Sequence, residues 1–331
     1  MKKIFKIYNR LLSNLSCLLH RSYKSDYSQI ICRLDEIEKT KNNLTQIITN
    51  QYFILSVISY YVQHPDDGIP YKEELDYICE HKNYVNFPYS FSFSSENINS
   101  LIDVKSNLPF VLHHGKKLFF PQSYDLLRAK EEYAYLENIE RITGENDTIK
   151  SPHQYQSSKY HIEEGDVLFD IGCAEGLFSL DNIEKVSHVY LIESDTKWIT
   201  CLKETFAPYS EKVTIINKKI GQCDNDDTIT LSTLLSKTSP SPIYLKMDIE
   251  GAEISVLKHS RAYLSSYPSR LKLGIAAYHK QNDCKQLIDM ISGISFNYEL
   301  SSGYMLFNLY DIPEAPFFRK GIVRASNDIK I

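Results

Sequence analysis

No two of the seven cysteines form a Cys-x-x-Cys pair. Scattered and odd in number (Cys17, Cys32, Cys79, Cys173, Cys201, Cys223, Cys284), they indicate neither a zinc site nor a disulfide framework, and a reducing cytoplasm is the expected compartment. No uninterrupted apolar run approaches the roughly 18–20 residues of a membrane-spanning helix. The start, Met1-Lys2-Lys3-Ile4-Phe5, opens like a secretory leader. Lys6, Asn9 and Arg10 then break the apolar stretch and no small-residue cleavage site follows, so export is not expected. A Gly-x-Gly-x-x-Gly fingerprint is missing too, which makes a dinucleotide a poor match. Excess positive charge is confined to residues 1–26, which carry a net +5 against −10 in the rest of a chain of net −5. Nucleic acid is therefore not the expected partner of the main body.

What is present divides into three stretches. Residues 1–63 are helical in pattern. Ile4, Tyr8, Leu11, Leu12, Leu15, Leu18 and Leu19 share one face, with basic residues elsewhere, which suits a membrane interface or packing against protein. From Tyr27, alternating steps of three and four give Ile30, Leu34, Ile37, Lys41, Leu44, Ile48, Gln51, Leu55, Ile58 and Val62. That heptad seam predicts a self-associating coiled coil, the alternative being a long helix packed on the rest of the chain. His64-Pro65-Asp66-Asp67-Gly68 breaks it. Residues 64–160 read as an irregular, aromatic-rich lead-in or cap, with a hairpin at 108–121 around His114-Gly115 and a helix at 124–142. His153, in the turn Ser151-Pro152-His153-Gln154-Tyr155, reads as an exposed loop histidine or one facing a site.

Residues 161–331 alternate strand and helix. Strands are expected at 166–171, 188–193, 213–219, 243–249 and 271–278, with helices near 175–185, 196–206, 251–265 and 283–292. The segments 294–301 and 304–310 read as a terminal antiparallel hairpin. Alternating βα units give an α/β, doubly wound, Rossmann-like sheet that binds ligands beyond the carboxyl ends of its strands.

Candidate chemistry sits at those ends. The first strand runs into Asp170-Ile171-Gly172-Cys173-Ala174-Glu175-Gly176, a Gly-x-x-x-Gly turn into a helix. Gly172 suits a positive-φ turn and Gly176 a close backbone approach. An acid here sits badly beside a phosphate and well beside a cationic amino-acid moiety such as that of S-adenosylmethionine. The second strand ends in Glu193, placed to accept hydrogen bonds from ribose hydroxyls, with Trp198 one turn on, against adenine or in the core. The fourth gives Lys246-Met247-Asp248-Ile249-Glu250-Gly251-Ala252-Glu253, where clustered carboxylates need a compensating cation or ligand. Glu253 by itself reads as a first-turn acid favoured by the helix dipole. The fifth gives Tyr278-His279-Lys280, whose histidine could take a proton from a hydroxyl, bind a metal with Asp248 or Glu250, or be structural.

The runs DIGCAEG, YLIES, LKMDIEGAEISVLK and AAYHK, in that order, resemble the FkbM-type methyltransferases over roughly 160–310. The resemblance implies a class I methyltransferase fold with an antiparallel C-terminal hairpin and transfer of a methyl from S-adenosyl-L-methionine to hydroxyl oxygens, notably of sugars and polyketides. It places Asp170, Gly172, Cys173, Gly176, Glu193 and Ser194 at the cofactor, and Asp248, Glu250 and His279 by the transferred methyl. Cys173-Ala174-Glu175 departs from the Ala-Asn of many members, adding an acid at the helix start.

The sequence reading is thus a cytoplasmic O-methyltransferase acting on a sugar or surface-glycan hydroxyl, oligomeric through residues 27–62 and touching a membrane through residues 1–26. An inactive scaffold that keeps the pocket is the rival of another class. A nicotinamide-dependent oxidoreductase is disfavoured by the missing glycine fingerprint.

Overall fold

The computed structural model describes residues 24–82, 85–140, 150–308 and 314–328. The basic helix expected at 4–19 lies outside them. The described chain forms two units, one of residues 24–59 with 81–82, the other of residues 60–80 and 85–328.

The first unit is most of a single 40-residue helix, α1 (Lys24–Gln63). Its seam residues Ile37, Leu44, Ile48, Leu55 and Val62 are 54, 57, 47, 59 and 75% exposed. A continuous helix is what the heptad pattern requires; Leu34 and Ile58 of the same row are half-buried.

In the second unit a 3-10 turn (Pro65–Tyr71) leads to α2 (Lys72–His81), a helix within the stretch expected to be irregular. The lead-in continues with a three-stranded antiparallel sheet, β1 (Ser100–Ile102), β2 (Pro109–His113) and β3 (Lys116–Phe119), and with α3 (Leu126–Glu140). The expected hairpin is β2–β3. His114 and Gly115, both at positive φ, make its two-residue turn, and that handedness matches the twist of the flanking strands. Buried His113 bonds Asp181 at 2.6 Å and the Tyr133 hydroxyl at 2.9 Å, tying this layer to the main fold.

The remaining strands are β4 (Val167–Ile171), β5 (His188–Ile192), β6 (Val213–Ile216), β7 (Lys219–Gly221), β8 (Thr228–Thr230), β9 (Ile243–Met247), β10 (Leu271–Ala276), β11 (Asn297–Leu300), β12 (Met305–Leu306), β13 (Phe318–Arg319) and β14 (Ile322–Ser326). The helices are α4 (Leu177–Asn182), α5 (Thr196–Thr205), α6 (Leu231–Ser236), α7 (Glu253–Ser265) and α8 (Asp283–Ser292). The main sheet has the order β11-β14-β10-β9-β4-β5-β6, mixed because β14 alone runs against the others. This is an α/β fold built on a mixed sheet. Strand alternation separates two cores. Phe169, Ile171, Leu245 and Met247 face α7 and α8, while Leu168, Leu191 and Tyr244 face α5 and the lead-in aromatics Phe110 and Phe120.

Two expectations are corrected. The antiparallel partner of β11 is β14, not 304–310; Met305–Leu306 pairs instead with Phe318–Arg319. Ile322–Ser326 carries Arg324 inside a buried strand, a weak sequence signal, and is compensated there by Glu299 and the Gln154 carbonyl. The third strand stops at Ile216. Asn217 turns the chain by donating to the carbonyls of Glu193 and Ser194, and β7 pairs with β8 in a separate ribbon.

Candidate active site

A cavity of about 580 Å³ opens beyond the carboxyl ends of β4, β5 and β9. Gly172, Glu193, Ser194, Trp198, Asp248 and Glu250 are among its lining residues. Asp170, Cys173 and Gly176, expected at the cofactor, do not line it. Asp170 is buried on the opposite side of the turn, where Oδ1 accepts from Lys246 Nζ at 2.9 Å and Oδ2 from Ser179 Oγ at 2.7 Å. The same ammonium reaches the Gly172 carbonyl at 3.3 Å, so the pair fixes the turn from behind. Cys173 is buried and its thiol pKa is raised, first by burial and then by Asp170 and Glu193.

The two glycines have separate reasons. At Gly172 (φ +73°) a Cβ would lie 1.8 Å from the Asp248 carbonyl oxygen, so only glycine lets this turn meet the end of β9. At Gly176 (φ +84°) a Cβ would meet Phe206 and Leu202 of the α5 region at 2.8 and 2.9 Å. The close approach there is to a packed helix.

Glu193 joins the first two loops. Its Oε2 accepts from the Ala174 amide at 3.0 Å and its Oε1 from the Asp195 amide at 2.7 Å. Each oxygen retains a second acceptor direction, so the carboxylate can also receive hydroxyl donors in the cavity. Trp198 is buried, packs edge-on against Tyr124 and lines the cavity.

At the other end Asp248 stands at the centre of a polar clasp, its side chain 19% exposed. Tyr155 donates to Oδ2 at 2.8 Å and Tyr278 at 3.1 Å; His153 Nε2 lies 3.5 Å from the same oxygen and His279 Nε2 3.3 Å from Oδ1. Burial would raise the Asp248 pKa, but His153, His279 and Lys246 overcome it and hold the carboxyl well below its ordinary range. His279 is buried between acids: Glu253 faces Nδ1 at 3.3 Å, and Glu250 lies 3.6 Å from Nε2. Burial would lower its pKa; Glu253, Asp248 and Glu250 raise it. Tyr278 is pushed up by burial and by Asp248.

Ligating atoms of Asp248, Glu253 and His279 lie within 4.8 Å of one another. The imidazole stands between the two carboxylates, one at each nitrogen. Glu250, at φ +58°, is carried out to 70% side-chain exposure by the Asp248–Gly251 turn. A non-glycine residue in that region is strained, as residues at functional turns often are.

His153, read as exposed or as facing a site, is buried and faces Asp248. Two features were not anticipated. Tyr155 binds Asp248 across 93 residues of sequence. Glu253 fixes the site by accepting from the Ile249 amide at 2.7 Å while facing His279. Only the Ser151–Tyr155 run marked the first of these.

Residues 150–292 match the family model described as the methyltransferase FkbM domain. No curated protein matches the chain. Among solved structures, methyltransferase FkbM from Methylobacillus flagellatus KT is 21% identical, with a TM-score of 0.42, over 60% of this chain and 51% of that one. This chain therefore spans about half the length of that protein. Precorrin-6y C5,15-methyltransferase from Geobacter metallireducens GS-15 is 10% identical, with a TM-score of 0.34, over 51% and 82%. A Streptococcus mutans protein in complex with SAH is 11% identical, with a TM-score of 0.33, over 50% and 90%. Among the described residues no helix is long and apolar enough to cross a membrane.

Proposed function

We propose that the protein transfers a methyl group from S-adenosyl-L-methionine to a hydroxyl oxygen of a sugar-containing acceptor, in the cytoplasm, during surface-glycan assembly. The observation that carries this reading is Asp248, held ionised by His153, His279 and Lys246 and bonded by two phenols, lining the same cavity as Glu193. The residues fit the cofactor. Glu193 offers acceptors for ribose hydroxyls, and Asp248 with Glu250 offers negative charge to a cationic sulfur and ammonium. When bound, the cofactor supplies a methyl on a positively charged sulfur.

The chain's own part is positioning and proton management. Asp248 accepts the hydrogen bond of the acceptor hydroxyl and aims its oxygen lone pair. An acceptor oxygen that received the methyl the cofactor would supply would be a far stronger acid than an alcohol. A carboxylate of depressed pKa therefore suffices to take its proton. His279, buried with a carboxylate at each nitrogen, touches Asp248 rather than open space, so it positions and stabilises that carboxylate instead of meeting the acceptor. His153, Tyr155 and Tyr278 fix its second oxygen. Monomers associate through the exposed seam of α1.

The test is turnover: the full chain with radiolabelled S-adenosylmethionine and a panel of saccharide acceptors. Label transferred to a saccharide hydroxyl upholds the reading. Binding of cofactor with no transfer to any hydroxyl compound would favour a scaffold that keeps the pocket.

A further inference from the structure

A second cavity of about 530 Å³ lies where Tyr71, the start of α8 and the β12–β13 ribbon meet. Its wall is aromatic: the Tyr71 ring lies 4.7 Å from Tyr304 and 4.9 Å from Phe318, centroid to centroid. Lys320 supplies the charge. Its Nζ sits 3.9 Å from the Tyr304 centroid and donates to the carbonyls of Gly303 at 3.1 Å and Ser301 at 3.4 Å. Its hydrogen-bond acceptors are these carbonyls; the acid that acts on it through space is Glu74, which also faces Lys150 at 3.6 Å. An ammonium has three protons. Burial pulls the Lys320 pKa below the ordinary lysine value, and Glu74 only partly opposes it.

This cavity adjoins the segment that carries His279. Arg319, in the same wall, donates to the carbonyls of Tyr278 and His279 at 2.8 and 2.9 Å and to Gln281 at 3.2 Å. A ligand seated here therefore lies against the element that carries the Asp248 clasp. Size, the aromatic wall and an excess of basic over acidic lining groups (Lys285, Arg319 and Lys320 against Glu314) together select a small, ring-shaped anion over a neutral or cationic ligand.

We propose that this cavity is the subsite for an acidic sugar unit of the acceptor, a uronic acid or a phosphorylated sugar, with the anion on Lys320 and the C–H face of the ring on the aromatic wall. As a statement about the acceptor it rests on the methyltransferase reading; as a binding site it does not. The experiment is ligand-observed NMR on the full chain with glucose 1-phosphate and glucuronate as probes, glucose and inorganic phosphate as controls, and S-adenosylhomocysteine titrated in parallel. Both acidic sugars should bind saturably and more tightly than glucose or phosphate alone. Lys320→Met should weaken them about tenfold or more, the worth of a charged hydrogen bond, while Lys320→Arg restores most of the affinity. Equal binding of glucose and glucose 1-phosphate overturns the proposal, as does phosphate binding as tightly as its sugar ester, or a Lys320→Met protein that binds like the wild type. S-adenosylhomocysteine binding without acidic-sugar binding removes this proposal alone. Acidic-sugar binding without S-adenosylhomocysteine upholds the site and removes the methyltransferase reading.

Discussion

Asp170 and Lys246 face each other as register partners on adjacent parallel strands, joined by a 2.9 Å contact between Oδ1 and Nζ, with both side chains buried. The acid that opens the glycine turn and the lysine that precedes the Asp248 cluster are thus one structural unit. Their job is to hold the turn at Gly172 against the end of β9. Desolvating both charges costs several kcal/mol, which their attraction and the Ser179 and Gly172 bonds offset.

Lys246→Met should therefore destabilise the protein by about 3 kcal/mol or more, because it strands a carboxylate in the core. Asp170→Asn added to it should recover part of the loss. Urea unfolding of the three proteins checks this; a double variant no more stable than the single one would contradict the pairing.

Asp248→Asn keeps an oxygen for the Tyr155 and Tyr278 donors but removes the charge and the proton acceptor. Turnover should fall by about 10²–10⁴, the usual range for loss of a positioned acid–base group. The KM for the cofactor should change much less. A variant with near-normal turnover would exclude Asp248 from proton transfer.

His279 gives a pH signature with a definite sign. Its pKa is raised above the ordinary 6.5 by Glu253, Asp248 and Glu250. The stability it contributes is therefore complete below about pH 6.5 and is lost as pH rises through the folded-state value. His279→Asn should cost most in urea unfolding at pH 5.5 and progressively less toward pH 9. A cost that grows with pH would reverse the assignment.

The seam of α1 predicts a concentration-dependent oligomer. Replacing Leu44 and Leu55, both more than half exposed, by Asp puts like charges at a buried-type heptad position and should yield monomers in analytical ultracentrifugation. The expected change is in association state, with secondary structure of residues 60–328 unaltered. A wild-type chain that is already monomeric at high concentration would overturn the coiled-coil reading.

How much of this was legible in the sequence depended on sequence distance. The runs at 167–171, 188–192, 243–247 and 271–276 are short apolar strands, each followed by turn residues and a helix, so local pattern sufficed to place those strands. So did the His114-Gly115 turn. β14 was missed because Arg324, inside it, reads as polar surface until Glu299 and the Gln154 carbonyl are seen beside it. At the site, Asp248, Glu250 and His279 were found from their place at strand ends. His153 and Tyr155 reach Asp248 only through tertiary folding, and no periodicity records that. Asp170 was placed at the cofactor because its partner lies on another strand, outside any local window.

The most direct measurement is a calorimetric titration of the full chain with S-adenosylmethionine and S-adenosylhomocysteine, beside Glu193→Ala and with NAD as control. Saturable binding of both, weakened by the substitution and absent for NAD, is what the cavity and its Glu193 end predict. A well-folded protein that binds neither, or binds both with Glu193→Ala unimpaired, would contradict the account at its centre.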